Sequence, residues 1–352
     1  MPDGKQRRES VGFSIEEARD ADGKRRSQKR ENRIFDILPE SKITFKELAE
    51  WYLSNSKVKK LSSYDRIDLA LRNFNNILGM KKVCNIKLND LEEYQAERSD
   101  QGRAPATIDM EIKIMQTAVT KAFDNDKIDG RALKAFRGLK KQLKKGSNAR
   151  TRTLTINEYI SLVDAAPIHL KNILKIAFHT GMRAGEIRNL QWEKNIDRKT
   201  GFIRLADDST KEKKGKVIPI NHHVVTVLKE IPRALQHDYV ITYEGQPIRQ
   251  KDGFKRSMKT ACKNAGIPYG RKTENGITFH DIRRTVKTNM LSAGIDKAYR
   301  DTLLGHSLEG MDRHYIVPDE KSLKKAMLKY TECIDQKIEE EKVKLGQQKV
   351  NK

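Results

Sequence analysis

Residues 303–318 read LLGHSLEGMDRHYIVP. Gly305 allows a tight turn that presents His306, and Tyr315 follows nine residues on. Alone, such a tyrosine is a core or interface residue with a polar tip. Two segments upstream place it in a chemical setting.

The first is TGMRAGEIRNLQW, Thr180–Trp192. Gly181 ends one helix and Arg183 opens the next, with Glu186 three residues on and on the same face. An exposed Arg–Glu pair contributes little, yet an arginine at a helix start is mismatched to the helix dipole and better suited to an anion. The second is FHDIRRTVKTNML, Phe279–Leu291, where His280 and Arg283 are i,i+3 neighbours at another helix N-terminus. Two arginines, two histidines and a tyrosine in this order suit chemistry at phosphorus. Guanidinium forks bind a phosphodiester bidentately and neutralise the charge that grows on pentavalent phosphorus. Histidines relay protons or donate to the non-bridging oxygens. A phenol that loses its proton beside such cations becomes a nucleophile. Its attack gives a phosphotyrosyl enzyme and keeps the bond energy, so this chemistry calls for no cofactor, metal or ATP.

Charge fits a phosphate-rich partner. Across 352 residues, 71 Lys and Arg face 48 acids, a formal net charge of +23. That is the footprint of a nucleic-acid binder, although a merely soluble chain could share it. No apolar run approaches the roughly 20 residues that span a bilayer, and the first residues, MPDGKQRRESVGFS, carry no apolar signal region. Cys84, Cys262 and Cys333 lie far apart, which argues against a zinc site or disulfide framework. The expectation is a reduced cytoplasmic protein associated with the bacterial nucleoid, with no membrane partner.

The chain divides by pattern. Residues 1–42 are a basic N-terminal tail or coupling segment, whose one helical phrase, FSIEEARD, has Ser14 and Glu17 at capping-box spacing. Residues 43–130 repeat apolar positions at helical spacing in about four segments, as in Ile108, Ile112, Met115, Val119 and Phe123. Residues 131–152 hold nine Lys or Arg and no acid, and read as a linker that straps along a phosphate backbone. Residues 153–318 open on a second capping box, Thr155 with Glu158, and mix helices with short strands at FIRLA, KVIPI and YVIT. Residues 319–352 form a helix and tail with Leu323, Met327 and Tyr330 on one stripe. With no room for that stripe in a finished domain, it is expected to dock on a neighbouring subunit. The predicted fold is mainly α with a small β-sheet.

These blocks resemble the tyrosine recombinase (phage integrase) family, in the family's order and approximate spacing. TGMRAGEI is similar to its first arginine box, HDIRRT to its H-x-x-R box, and LLGH with a tyrosine nine residues later to its nucleophile box. The resemblance covers Ile43–Pro318. It implies an all-helical, SAM-like core-binding domain followed by a mixed α/β catalytic domain. It also implies Tyr315 as nucleophile, Arg183 and Arg283 on the scissile phosphate, and His280 in proton transfer. His306 would hydrogen-bond the phosphate, and Glu186 would support the framework. The family's general-acid lysine sits on a strand turn, where DSTKEKKGKVIPI puts Lys211, with Lys213, Lys214 and Lys216 as alternatives left open. Met311 stands where family members often have Thr.

The implied function is a site-specific recombinase or integrase of a phage or other mobile element. It would act on attachment-type sites in double-stranded DNA, as a homotetramer, through a four-way junction, with DNA-bending or directionality factors as further partners. The rivals are a chromosome-dimer resolvase of the same family, a type IB topoisomerase-like strand transferase, and a non-catalytic DNA-binding accessory protein. His222 and His223 are adjacent, which is not metal-ligand spacing, and His179 reads as a packed, hydrogen-bonded residue. Trp51 and Trp192 fit core positions, and Tyr299 and Tyr330 follow no Gly-His turn.

Overall fold

The structure is a computed structural model. It describes residues 14–30, 43–144, 146–206, 215–248, 253–306 and 318–350. The chain forms two compact units, residues 1–149 and 150–352.

In the first unit, α1 (Ile15–Arg30) starts with the expected box, Ser14 and Glu17 each accepting from the other's backbone N–H. A helical bundle follows: α2 (Phe45–Ser54), α3 (Ser56–Lys59), α4 (Tyr64–Leu78), α5 (Leu88–Asp100), α6 (Pro105–Asp124) and α7 (Gly130–Gly138). Phe45, Phe74, Tyr94 and Phe136 meet at the centre of its core. A buried ion pair, Arg98 with Glu111, lies beside them. Both oxygens of Glu111 are occupied, by Arg98 (2.7 and 3.0 Å), the Tyr94 hydroxyl (2.8 Å) and the Asn73 amide (2.9 Å).

The expected boundary near Gly130 moves. Ala132, Leu133 and Phe136 of α7 are buried in the first core, so the basic segment 131–152 begins as a packed helix, and the division falls between Ala149 and Arg150. The nine cations masked that short apolar stripe. At its far end the segment is anchored in the second unit. Arg150 donates to Asp281 (2.9 Å) and to the Gly276 carbonyl (2.6 Å), and Arg152 pairs with Glu158.

The second unit opens with α8 (Ile156–Asp164), capped by Thr155 and Glu158 as the spacing predicts, then α9 (Ile168–Thr180), α10 (Ala184–Arg188) and α11 (Trp192–Asn195). A three-stranded antiparallel sheet joins β1 (Ile196–Asp197), β2 (Phe202–Leu205) and β3 (Lys216–Pro219) in that order. FIRLA and KVIPI therefore pair as expected, but YVIT is not the third strand. Val240 and Ile241 are core residues outside the sheet, while β4 (Thr242–Tyr243) pairs with β5 (Gln246–Pro247) in a separate hairpin. The helix α12 (His222–Glu230) lies in the chain between β3 and β4. The remaining helices are α13 (Lys255–Asn264), α14 (Phe279–Ser292), α15 (Lys297–Leu304) and α16 (Glu320–Val350).

The stripe of α16 has a different destination from the one expected. Leu323, Met327, Tyr330 and Ile334 belong to the core of their own unit, and the Tyr330 hydroxyl donates to the Phe178 carbonyl at 2.6 Å. The sequence pattern announced an apolar face but not which surface covers it.

Candidate active site

Two left-handed glycines set the site. Gly181 (φ 66°) ends α9 and turns the chain into Arg183, the N-cap of α10. A Cβ there would lie 2.3 Å from Leu304 Cδ2, so only glycine lets α9 meet the end of α15. Gly305 (φ 65°) ends α15 and presents His306. Between them, α14 is fixed at its N-terminus by Thr278 and Asp281 in a capping box. Asp281 is fully buried and also accepts from Arg150 and Arg284. Burial pushes its carboxyl up, but those donors and Thr278 outweigh it and lower the pKa.

That frame aims α14. Arg283 is buried and donates to the Gly181 carbonyl (2.6 Å) and the Leu304 carbonyl, and its Nη2 lies 3.1 Å from His306 Nε2. One guanidinium thereby holds the ends of α9 and α15. Arg183, His280 and Arg283 together line a cavity of about 350 Å³ whose other walls include Met182, Met258 and Phe279. Burial and the nearby Arg283 and Arg284 lower the His280 pKa, so the ring is neutral near pH 7.

Behind this surface, Glu186 is buried. Its carboxylate accepts from Arg183 Nη1 (2.8 Å), the Arg183 backbone N–H (3.0 Å) and Lys216 Nζ (3.1 Å). Burial alone would raise its pKa; the lysine and the hydrogen bonds from Arg183 reverse that. His306 is backed by Asp301, which accepts from Lys287 (2.8 Å) and Lys297 (3.0 Å) and lies 3.4 Å from His306 Nδ1. Burial raises the Asp301 carboxyl, the lysines lower it further, and the result is about 2. Burial, Arg283 and Lys287 lower His306 in turn.

The structure thus brings together Arg183, Glu186, His280, Arg283 and His306. Tyr315 and Lys211, with Lys213 and Lys214, lie outside the described residues. Sequence reasoning did not single out Asp281, Arg150, Asp301 or Lys287, and it left Lys216 as one open alternative. Of these, only the Thr278–Asp281 capping-box spacing was a usable signal.

Two histidine readings change. His179 is buried as expected, but its Nδ1 has no hydrogen-bond partner, and the ring stacks on His223 at 4.0 Å. His222 and His223 acquire a third group from α16. His223 Nε2 lies 2.6 Å from Asp335 Oδ1, and one ligand-type atom from each of the three residues falls within 4.8 Å of the others. This cluster holds α16 against α12, and its residues are none of those that line the arginine cavity. Trp192 is buried, while Trp51 is partly buried against the first core. Among the described residues, no helix is long and apolar enough to cross a membrane.

The chain is similar in sequence and in fold to known proteins. The phage integrase family matches residues 151–322. The tyrosine recombinase XerA of Pyrococcus furiosus is 30% identical over 207 residues, covering 56% of this chain and 70% of that protein. The integrase of Salmonella phage P22 is 27% identical over 181 residues, 48% of this chain and 44% of its own. A lambda integrase tetramer bound to a Holliday junction shares the fold, with a TM-score of 0.62 at 16% identity, over 87% of this chain and 89% of the other. The chain belongs to the tyrosine recombinase (phage integrase) family and is a site-specific recombinase.

Proposed function

We propose that this recombinase cuts and rejoins duplex DNA through a 3′-phosphotyrosyl bond to Tyr315, in the service of a phage or other mobile element. The observation that carries the reading is the convergence of Arg183, His280 and Arg283 on one cavity, with His306 hydrogen-bonded to Arg283. A scissile phosphate seated there meets two guanidiniums, which oppose the charge that builds on its oxygens. His280, neutral near pH 7, accepts the phenolic proton as Tyr315 attacks. The anion's own charge favours the protonated imidazole, whose Nε2 then gives up its hydrogen bond from Arg283 and donates to a non-bridging oxygen. Lys211, between β2 and β3 in the sequence, protonates the departing 5′-oxygen. A 5′-hydroxyl from a second duplex then attacks the phosphotyrosyl bond, releasing Tyr315 and exchanging strands. Each step exchanges one phosphodiester for another. Paired exchange through a four-way junction calls for four subunits on two sites, in line with the lambda integrase tetramer on a Holliday junction whose fold this chain shares.

A chromosome-dimer resolvase is the second reading, and the likeness to XerA favours it. Covalent capture separates the readings. Wild type and Tyr315→Phe are incubated with fragmented DNA of the source organism, denatured in SDS, and the retained DNA is sequenced. The expected result is DNA linked through its 3′ end to wild type alone, clustered at one short motif in or beside a mobile element. Clustering at a single chromosomal site away from any mobile element indicates the resolvase. Capture spread over unrelated sequences indicates topoisomerase-like action. No capture, with tight DNA binding retained, indicates an accessory protein.

A further inference from the structure

Lys216 is the first residue of β3, paired with Leu205 across the sheet, and its side chain is 2% exposed. A lysine this deep costs free energy unless its charge is matched. The match is Glu186, 3.1 Å from Nζ and 30 residues away in sequence. The stem is packed as closely as the head is paired. A Cβ on Gly305 would lie 2.9 Å from Lys216 Cδ, so the turn that presents His306 rests directly on this lysine. The residue therefore contacts both the first arginine box and the Gly-His turn, and it lies five residues after Lys211 in the sequence.

We propose that Lys216 is a positioning residue for strand cleavage: it ties the β-hairpin to the clamp by holding Glu186 on Arg183 and supporting the turn under His306. This role rests on the recombinase reading and differs from that of a leaving-group acid, because a buried ammonium bonded to Glu186 is not presented to DNA. The charge balance explains why an apolar residue would not serve. Glu186 is the anion against which Arg183 is oriented, and Lys216 opposes the tendency of burial to protonate it. Burial, Arg283 and Arg183 in turn lower Lys216 itself to about 8, with Glu186 opposing them. The tether loosens as Lys216 loses its proton above that pH.

The test measures covalent adduct formation by the full chain on a nicked duplex carrying the site recovered by capture, across pH, with DNA affinity and thermal unfolding measured beside it. The variants are Lys216→Met, Lys216→Arg, Glu186→Gln and the double variant Lys216→Met/Glu186→Gln. Lys216→Met is expected to slow cleavage by about 10- to 100-fold, the scale of a misplaced reacting geometry, with DNA affinity within about twofold. Wild type is expected to lose cleavage on a basic limb beginning near pH 8. Lys216→Arg, which stays charged, should recover part of the rate and move that limb upward. The double variant should be no slower than Lys216→Met alone, because the lysine acts through the carboxylate. A wild-type rate and unchanged pH profile in Lys216→Met overturns the proposal. If Lys216→Met does not fold, an unshifted basic limb in Lys216→Arg overturns it. An adduct in wild type that is lost in Tyr315→Phe but indifferent to Lys216 removes this inference alone, whereas no adduct in wild type removes the recombinase reading with it.

Discussion

Arg283 donates to the carbonyl of Gly181 at 2.6 Å, across 102 residues of chain. The second guanidinium of the site is therefore built on the backbone turn that delivers the first, Arg183. Orientation of the two guanidiniums is one structural problem with one solution, a left-handed glycine between α9 and α10. Gly181→Ala should demonstrate this. It forces a Cβ into Leu304 and an L-residue into positive φ, at a cost of about 2–4 kcal/mol. Calorimetry should show the second unit melting roughly 5–15 °C lower, with cleavage falling in parallel.

Arg283→Lys should retain a positive charge but not the fork. Lysine cannot hold the Gly181 and Leu304 carbonyls while also facing His306. Adduct formation on the captured site should drop by about 10²- to 10³-fold, while DNA affinity changes little. A rate near wild type would show that the bidentate geometry is not used.

Asp301 makes stability depend on acid. Its folded pKa, about 2, lies below the unfolded value of 3.8, so its contribution is fully present above 3.8 and is lost as pH falls toward 2. Asp301→Asn should accordingly lower the melting temperature at neutral pH. The gap from wild type should close through that acid window, which melting curves at stepped pH will display. His179 works in the same direction. Burial and the nearby His223 hold its pKa well below 6.5, so the unfolded chain binds a proton first and stability falls as pH drops below about 6.5.

Tyr330→Phe removes the donor to the Phe178 carbonyl inside the core. The expected loss is about 1–3 kcal/mol, from a buried acceptor left unpaired, and denaturant titration will measure it. Deleting residues 319–352 removes five core side chains, Leu323, Ala326, Met327, Tyr330 and Ile334, and should leave the second unit unfolded. That separates a structural role for α16 from the expected intersubunit one, which would have left a folded monomer.

Local spacing disclosed much of this site. Arg183 with Glu186, His280 with Arg283, and His306 after Gly305 are each within a helical turn or a cap, where chain geometry settles who neighbours whom. The helical first domain was likewise legible, since stripes such as Ile108, Ile112 and Met115 recur at one period. What stayed hidden depends on distant partners. Arg150 meets Asp281 from 131 residues away, and Lys216 meets Glu186 from 30. Each had several charged neighbours in sequence with equal claims. In α7, cations concealed a short apolar stripe, and in α16 the stripe itself could not say whose core it completes.

That last packing has a consequence for biosynthesis. Phe178 leaves the ribosome 152 residues before the tyrosine that bonds to it. Domains fold as units, the N-terminal one first, during synthesis. The helical unit can thus close on itself while the second still lacks Leu323, Met327, Tyr330 and Ile334. The nascent protein can form its first domain well before it has a complete catalytic one, and translation itself delays the moment at which the recombinase can act.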